Sequence, residues 1–360
     1  MSNAQNSGPV PAQSSHGPQS CTDDWRPAAT WSRLRKRATH LAAIRAFFSE
    51  RQVLEVETPA LHPAAIPETH IEPMTCSHPA DPAGAPMFLH TSPEAAMKRL
   101  LAAGSGPIYQ ICHVFRAGEQ GQWHNPEFTM LEWYRPGWSW HALMDEVHAL
   151  VATLTDCGPA YTLSYRQALM DYAGVDPFAE NIGPVLRATL MQIPDATSGV
   201  EPVPAGLLGA QEEDLLDLFD WLWLSRVEPA LVRMGQPEAG TARRRAVFIT
   251  GFPVARAAMS MIDPGPPPTA QRFELYLDGI ELANGYQELT DAAEQSRRLE
   301  QVNAQRIAQQ RPPLPVDHRF LAALAAGMPA CAGVALGVDR LIARACDCDS
   351  IHDVLTFPLA

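Results

Sequence analysis

The chain has 360 residues, enough to bury a large core as one big domain or two ordinary ones. Hydrophobic residues make up 46% and charged residues 19%, the balance of a soluble globular protein, and no run of about 18 apolar residues suggests a membrane span. The formal net charge of -13 argues against a broad nucleic-acid face, which would carry a basic stripe, and suits a basic protein partner better.

Residues Met1 to about Asp24 are rich in Ser, Pro, Gln and Gly and almost free of large apolar side chains. Burial there cannot offset chain entropy, so a disordered tail is expected. No charged-then-apolar leader is seen, and the expected compartment is the cytoplasm. Helical periodicity begins near Leu34 and runs through Leu41, Ile44, Phe47 and Phe48. Val53 to Glu57 reads as a strand stopped by Pro59. From Met87 to Tyr134, short strands and turns surround one helix, Pro93 to about Ala103. Thr162 to Glu238 reads as mainly helical, with an apolar block at Leu215 to Leu224 and proline-rich joints around Pro202 to Pro204. It is expected to be an insertion over about 162–240 within a domain running from 25 to 360. Val247 to Thr250 is a strand candidate, and Arg272 to Gly279 alternates and then turns. Glu294 to Gln310 is a polar helix-forming stretch, and a helix after Gly337 closes the chain. Hairpin-length links between strands, with helices inserted, predict an α+β fold: an antiparallel sheet flanked by helices.

The 7 cysteines are scattered, which makes a poor disulfide framework. Cys346 and Cys348 form the only close pair, and they read as two thiols near a helix end rather than as a zinc site.

Three segments carry chemistry. Phe115-Arg116 leads through a polar loop into His124-Asn-Pro-Glu-Phe-Thr-Met-Leu-Glu-Trp-Tyr134. A period of two puts Phe128, Met130, Glu132 and Tyr134 on one face, an aromatic ring followed by an acid and a phenol. A ring can stack on a purine, and an acid beside a phenol can hold an ammonium; a half-buried strand with a chance Glu fits the same pattern. Glu281-Leu-Ala-Asn-Gly-Tyr-Gln-Glu288 sets two carboxylates and an amide close together after a turn at Asp278-Gly279. Such acids can share Mg²⁺ or lie solvated at the surface. Gly333-Val-Ala-Leu-Gly-Val-Asp-Arg340 leads into a helix, with Gly337 allowing close backbone approach and Arg340 able to reach a polyphosphate.

Taken in order, these segments resemble the class II aminoacyl-tRNA synthetase active site. Leu54-Glu-Val-Glu-Thr-Pro59, with the helix before it, resembles motif 1; Phe115 to Tyr134 resembles motif 2; Gly333 to Arg340 resembles motif 3. The His124 to Glu132 and Glu281 to Gly285 strings look like those of lysyl enzymes, and Thr91-Ser92-Pro-Glu94 fits the segment that contacts the substrate amino group. The likeness runs from about Trp31 to the C-terminus. Motif 1 begins some forty residues in, so the anticodon-binding domain usual ahead of it in lysyl-tRNA synthetases is not expected, and the whole chain is most similar to the elongation factor P (R)-beta-lysine ligase family.

That resemblance implies an ATP-dependent ligase, a homodimer through motif 1, that forms a lysyl or beta-lysyl adenylate and passes it to a lysine of elongation factor P, with no tRNA as partner. It implies that Arg116 holds the substrate carboxylate and the α-phosphate, that Phe128 stacks on adenine, and that Asn125, Leu282 and Gly337 line the nucleotide. Glu281 would bind Mg²⁺, Glu288 would face both metal and substrate, and Arg340 would grip the γ-phosphate side. Ser92, Glu94, Glu132, Tyr134 and Asn284 would read the amino groups. Ala335 stands where lysyl-tRNA synthetases have Gly, and is expected to shape the pocket beside the first carbons of the substrate. One departure is Gly118, where the lysyl pattern has a Glu that reads adenine; either Glu119 or backbone contacts would serve instead. The rivals are a tRNA-charging lysyl enzyme without its anticodon domain and a non-catalytic paralogue acting as a regulator.

Overall fold

In a computed structural model of the chain, residues 25–78, 80–191, 215–235 and 244–359 are described. The tail expected over residues 1–24 and the joints around Pro202 to Pro204 lie outside them.

Helix α1 (Trp31–Glu50) is capped by Thr30, whose side chain accepts from the Arg33 amide at 3.3 Å. It buries Ile44, Phe47 and Phe48, positions that its apolar period marks. Four short strands follow: β1 (Leu54–Glu55), β2 (Leu61–His62), β3 (Thr75–Cys76) and β4 (Met87–Leu89). The strand expected from Val53 to Glu57 is therefore only two residues long. Then come α2 (Glu94–Ala102), the long pair β5 (Ile108–Phe115) and β6 (Glu127–Pro136), and α3 (Trp140–Thr155).

The stretch expected to be helical opens instead with a strand, β7 (Tyr161–Ser164), because its backbone pairs with β8 (Ala246–Pro253). Ser164 then caps α4 (Tyr165–Ala173) by accepting from the Gln167 amide at 3.0 Å. Helices α5 (Ile182–Met191), α6 (Leu215–Leu222), a π-helical turn over Trp223–Val227 and α7 (Glu228–Gly235) precede β8. After it come β9 (Ile262–Asp263), β10 (Thr269–Leu277), β11 (Ile280–Gln287), α8 (Ala292–Ala308), α9 (His318–Ala325), β12 (Cys331–Gly337) and α10 (Val338–Ala345). The β10–β11 turn has φ 53° at Asp278 and 77° at Gly279, the doubly left-handed geometry that a two-residue hairpin requires.

The main sheet runs β1-β5-β6-β12-β11-β10-β8-β7, with β9 paired to β10, and β2-β4-β3 form a small second sheet. Its centre is antiparallel, but both outer pairs, β1–β5 and β7–β8, are parallel. Hairpin-length links cannot make a parallel pair. Long connections through the small sheet and α2, and through α4 to α7, supply these two.

One face of the sheet is apolar. Leu131, Trp133, Phe273, Leu275, Ala283, Val334 and Leu336 pack there with residues of α1, α3 and α10 into one buried cluster. A second cluster joins the helices after β7 to β8 and β10, where Trp223 Nε1 donates to Tyr276 Oη at 3.2 Å. The three motif segments are tied at a single buried carboxylate. Asp339 on α10 accepts from the Thr129 amide of β6 at 2.8 Å and pairs with Arg37 of α1 at 2.5 Å.

Candidate active site

The other face of the same sheet is polar, and the register builds it in rows. Glu132, Ala335, Asn284 and Glu274 stand side by side across β6, β12, β11 and β10; Tyr134, Gly333, Tyr286 and Arg272 form the next row. Alternation along each strand places these side chains opposite the apolar core. Glu281 would break this order, since strict alternation puts it on the face of Ala283. A register shift cures it: Leu275 pairs with Ala283 while Tyr276 pairs with Glu281, so Leu282 bulges out of the ladder. Leu282 and Ala283 both enter the core, and Glu281 returns to the face of Asn284. Leu282, expected near the nucleotide, therefore has only backbone to offer there.

Around Glu132 the carboxyl contacts are dense. Ser92 Oγ donates to Glu132 Oε2 at 2.7 Å and Tyr134 Oη to Oε1 at 2.7 Å; Ser92 Oγ also accepts from the Glu94 amide at 3.0 Å. Burial, and then the neighbouring Glu94 charge, push the Glu132 carboxyl up to about 8. Glu94 and Glu288 share one ammonium: Lys98 Nζ lies 2.5 Å from each. Burial alone would lower the Lys98 ammonium, but the two carboxylates outweigh it and hold the proton more tightly than usual. A Cβ on Gly333 would overlap both Glu288 Oε1 and the Tyr134 ring, so this position must be glycine for the two to meet over β12.

The cationic side begins at Arg116. Its guanidinium lies 5.1 Å from the Phe128 ring centroid, Nε is 3.4 Å from Thr91 O, and Glu119 Oε1 is 3.5 Å away. Gly118 has φ 80° and open space where a Cβ would stand. Glu119 is thus turned towards Arg116, beside the vacant position. Each Arg340 nitrogen has one protein partner: Nε donates to Trp123 O at 3.0 Å, one terminal nitrogen to Glu281 O at 2.8 Å, and the other lies 2.8 Å from His124 Nε2, which leaves one N–H on each terminal nitrogen. Gly337 caps α10, and a Cβ there would only brush Arg340, 3.7 Å from its Cδ. Asn125 is committed to backbone, donating to Glu127 O at 2.6 Å and accepting from the Leu359 amide at 3.1 Å.

Glu281 and Glu288 occupy different surroundings. Burial and then Glu274 raise the half-buried Glu281 carboxyl to about 7, against Arg340, Arg272 and Arg116. Glu288 is held instead by Lys98. The closeness expected of the two acids from their string is that of the backbone, and each side chain has its own partners.

Five further residues join the site. Arg272 donates from Nε to Asn284 Oδ1 at 3.1 Å and pairs with Glu274, which also accepts from Tyr276 Oη at 2.8 Å. Their alternation in Arg272 to Gly279 marks a shared face. Lys98 stands four residues after Glu94, a helical ion-pair spacing legible in the sequence. Glu228, at the start of α7, comes under the charge of Glu281 and Glu274, and Glu68, between β2 and β3, under that of Arg116; burial raises both carboxyls to about 7. No local pattern marks either one, since a loop and an inserted helix bring them in.

Comparison with known proteins gives the family of the chain. The family described as "tRNA synthetases class II (D, K and N)" matches residues 21–360. A protein of Erwinia tasmaniensis named "Elongation factor P--(R)-beta-lysine ligase" is 44% identical over 338 residues, covering 93% of this chain and 98% of its own. Proteins of the same name from Sodalis glossinidius and Salmonella typhi are 44% and 43% identical, covering 92% and 93% of this chain and 97% and 98% of theirs.

Proposed function

Since the chain belongs to the class II tRNA synthetases (D, K and N) and, among them, to the elongation factor P (R)-beta-lysine ligases, we propose that it activates (R)-beta-lysine, and less well lysine, with ATP and transfers it to a lysine side chain of elongation factor P. The observation that carries this reading is a charge count. Glu94, Glu132 and Glu288 bring three carboxylates to one pocket and Lys98 brings one ammonium. With all three acids ionised, the state that a substrate ammonium demands, the balance of two negative charges complements a substrate with two ammonium groups, and it lies beside an arginine suited to a carboxylate.

In the first step a substrate carboxylate oxygen attacks the α-phosphorus of ATP, the bond to the β-phosphate bridge breaks, and pyrophosphate leaves. Arg116 holds the attacking carboxylate and the α-phosphate together and stabilises the charge that gathers between them. Ser92, Glu94, Glu132, Tyr134, Asn284 and Glu288 fix the amino groups, with Ala335 beneath. Phe128 stacks on adenine, Gly118, Glu119, Asn125, Leu282 and Gly337 line the nucleotide, and Arg340 faces the γ-phosphate side. In the second step the acceptor ε-amine attacks the adenylate carbonyl carbon and AMP leaves.

The donor set suits Mg²⁺. Among the described residues, the Glu281 side chain has no hydrogen-bond partner, and hard cations take carboxylate oxygens. Glu281 would hold the ion, and Glu288, with one oxygen on Lys98, has the other to share. When bound, Mg²⁺ neutralises phosphate charge. No helix among the described residues is long and apolar enough to cross a membrane. The remaining parts of the proposal are a cytoplasmic homodimer joined through motif 1, and no tRNA substrate.

Pyrophosphate exchange with lysine and beta-lysine, followed by transfer to elongation factor P or to tRNA, tests this. Exchange with beta-lysine and labelling of the protein are expected. Efficient tRNA charging at physiological salt would overturn it.

A further inference from the structure

Resting on the function proposed above, Asn284 has a task that it cannot perform alone. An amide carries its acceptor on one atom and its two donors on the other, and a half-turn about its last bond exchanges them. A pocket that reads a substrate with such a group must fix which end points where. Asn284 is half-buried, between Ala335 and Glu274 in its row. We propose that Arg272 is a positioning residue for amino-acid recognition, through which the inserted helices hold the Asn284 amide in one orientation.

The contact that does so is Arg272 Nε to Asn284 Oδ1, at 3.1 Å. A guanidinium has donors and no acceptor, so the atom facing it must be the amide oxygen. A flipped amide would set N–H against N–H. Nδ2, with its two donors, is thereby turned away from Arg272.

Arg272 is itself held along two lines, and both lead into the insertion. On the first, Arg272 pairs with Glu274 Oε1 at 2.5 Å, Tyr276 Oη donates to Glu274 Oε2 at 2.8 Å, and Trp223 Nε1 donates to Tyr276 Oη at 3.2 Å. Trp223 opens the π-helical turn between α6 and α7, and its carbonyl accepts from the Glu228 amide. Such turns are rare and recur at functional sites. On the second line, Arg272 Nη1 donates to Arg256 O at 2.8 Å. The Arg256 guanidinium in turn donates to Leu216 O at 3.1 Å and pairs with Asp220 at 2.5 Å, both on α6.

The direction of every bond in the first line is forced. An indole N–H and a guanidinium only donate, and a carboxylate paired with a guanidinium only accepts. The Tyr276 hydroxyl must therefore accept from Trp223 and donate to Glu274. Burial, and then the Glu274 charge, keep that phenol protonated. Trp223, Tyr276 and Glu274 are 7%, 3% and 8% exposed, so water competes little for these bonds. With all three of its nitrogens engaged, Arg272 has one geometry to offer, and Asn284 takes its orientation from it.

The test is pyrophosphate exchange by the full chain, read as KM for beta-lysine and KM for ATP. Asn284→Ala should raise the first about tenfold or more, the worth of a hydrogen bond to a charged group. Arg272→Lys keeps the charge beside Glu274 but loses the fork, and should raise it about fivefold or more while KM for ATP stays within about twofold. Tyr276→Phe, which removes only the hydroxyl joining Trp223 to Glu274, should raise it roughly threefold. In the Asn284→Ala background neither change should add more than about twofold, because residues that act through one group are not additive. A general loosening of the fold would add in both backgrounds and move both constants. Should Tyr276→Phe not fold by circular dichroism, Trp223→Phe removes a single donor from the same line and is read in the same way. Unchanged KM for beta-lysine in Arg272→Lys, an equal rise in KM for ATP, or full additivity with Asn284→Ala would each overturn the assignment. Absence of exchange in the unaltered chain would instead sink the proposed function and be seen before any variant is made.

Discussion

Lys98 and Glu288 meet at 2.5 Å with their side chains 0% and 1% exposed, and the same ammonium reaches Glu94 on its own helix. One buried cation therefore joins α2 to the end of β11 and aims two pocket acids. Removing it leaves two carboxylates buried without a counter-charge. Breaking such a pair from one side typically costs about 3–5 kcal/mol. Lys98→Met should lower stability by that order in urea unfolding and raise KM for the amino acid far more than for ATP. Unaltered stability would show that the pair is not what holds these elements together.

Arg116 has loose contacts to Thr91 and Glu119, and its side chain remains 22% exposed. A charge-assisted contact that strengthens in the transition state is worth about 3 kcal/mol, or some hundredfold in rate. Arg116→Ala should therefore cut pyrophosphate exchange by at least that factor with the fold intact by circular dichroism. Near-normal exchange would remove Arg116 from the chemistry.

The Glu132 carboxyl, pushed up to about 8 from an unfolded value of 4.5, binds a proton on folding. Its contribution to stability is fully present below pH 4.5 and is lost as pH rises through about 8. A substrate ammonium beside it demands the carboxylate and reverses that preference. Amino-acid affinity should thus improve from pH 6 to pH 8, with proton release on binding at pH 7. Calorimetry in two buffers of different ionisation enthalpy measures the protons, and Glu132→Gln should abolish this share. Identical heats in both buffers for the unaltered protein would contradict it.

Ala335 sits between Glu132 and Asn284 in one row. One methyl in a tight site is worth roughly 1–3 kcal/mol, or about 10- to 200-fold in discrimination. Ala335→Gly should shift the exchange ratio towards lysine over beta-lysine. A constant ratio would mean that the methyl only packs.

Glu281→Gln removes one anionic oxygen ligand at nearly constant size. The Mg²⁺ concentration for half-maximal exchange should rise, while KM for the amino acid stays near that of the unaltered chain. If the two constants move together, the division between metal and substrate acids is wrong.

The motif-bearing strands and the first helix were determined by the sequence itself. Phe128, Met130, Glu132 and Tyr134 share a face because alternation is a property of the extended backbone, and α1 buries Ile44, Phe47 and Phe48 because a helix repeats every 3.6 residues. Both periods are written within a few neighbouring residues. The Asp278-Gly279 turn is equally local, set by which residues tolerate positive φ. Tertiary structure alone decided the rest. The bulge at Leu282 exists only relative to β10, and it is what brings Glu281 to the face of Asn284. The parallel edges depend on where long connections return, not on the strands they join. Glu68 comes under the charge of Arg116, and Glu228 under that of Glu281, from parts of the chain far apart in sequence. Such contacts have no period to betray them, because their partners are set by packing between elements distant along the chain.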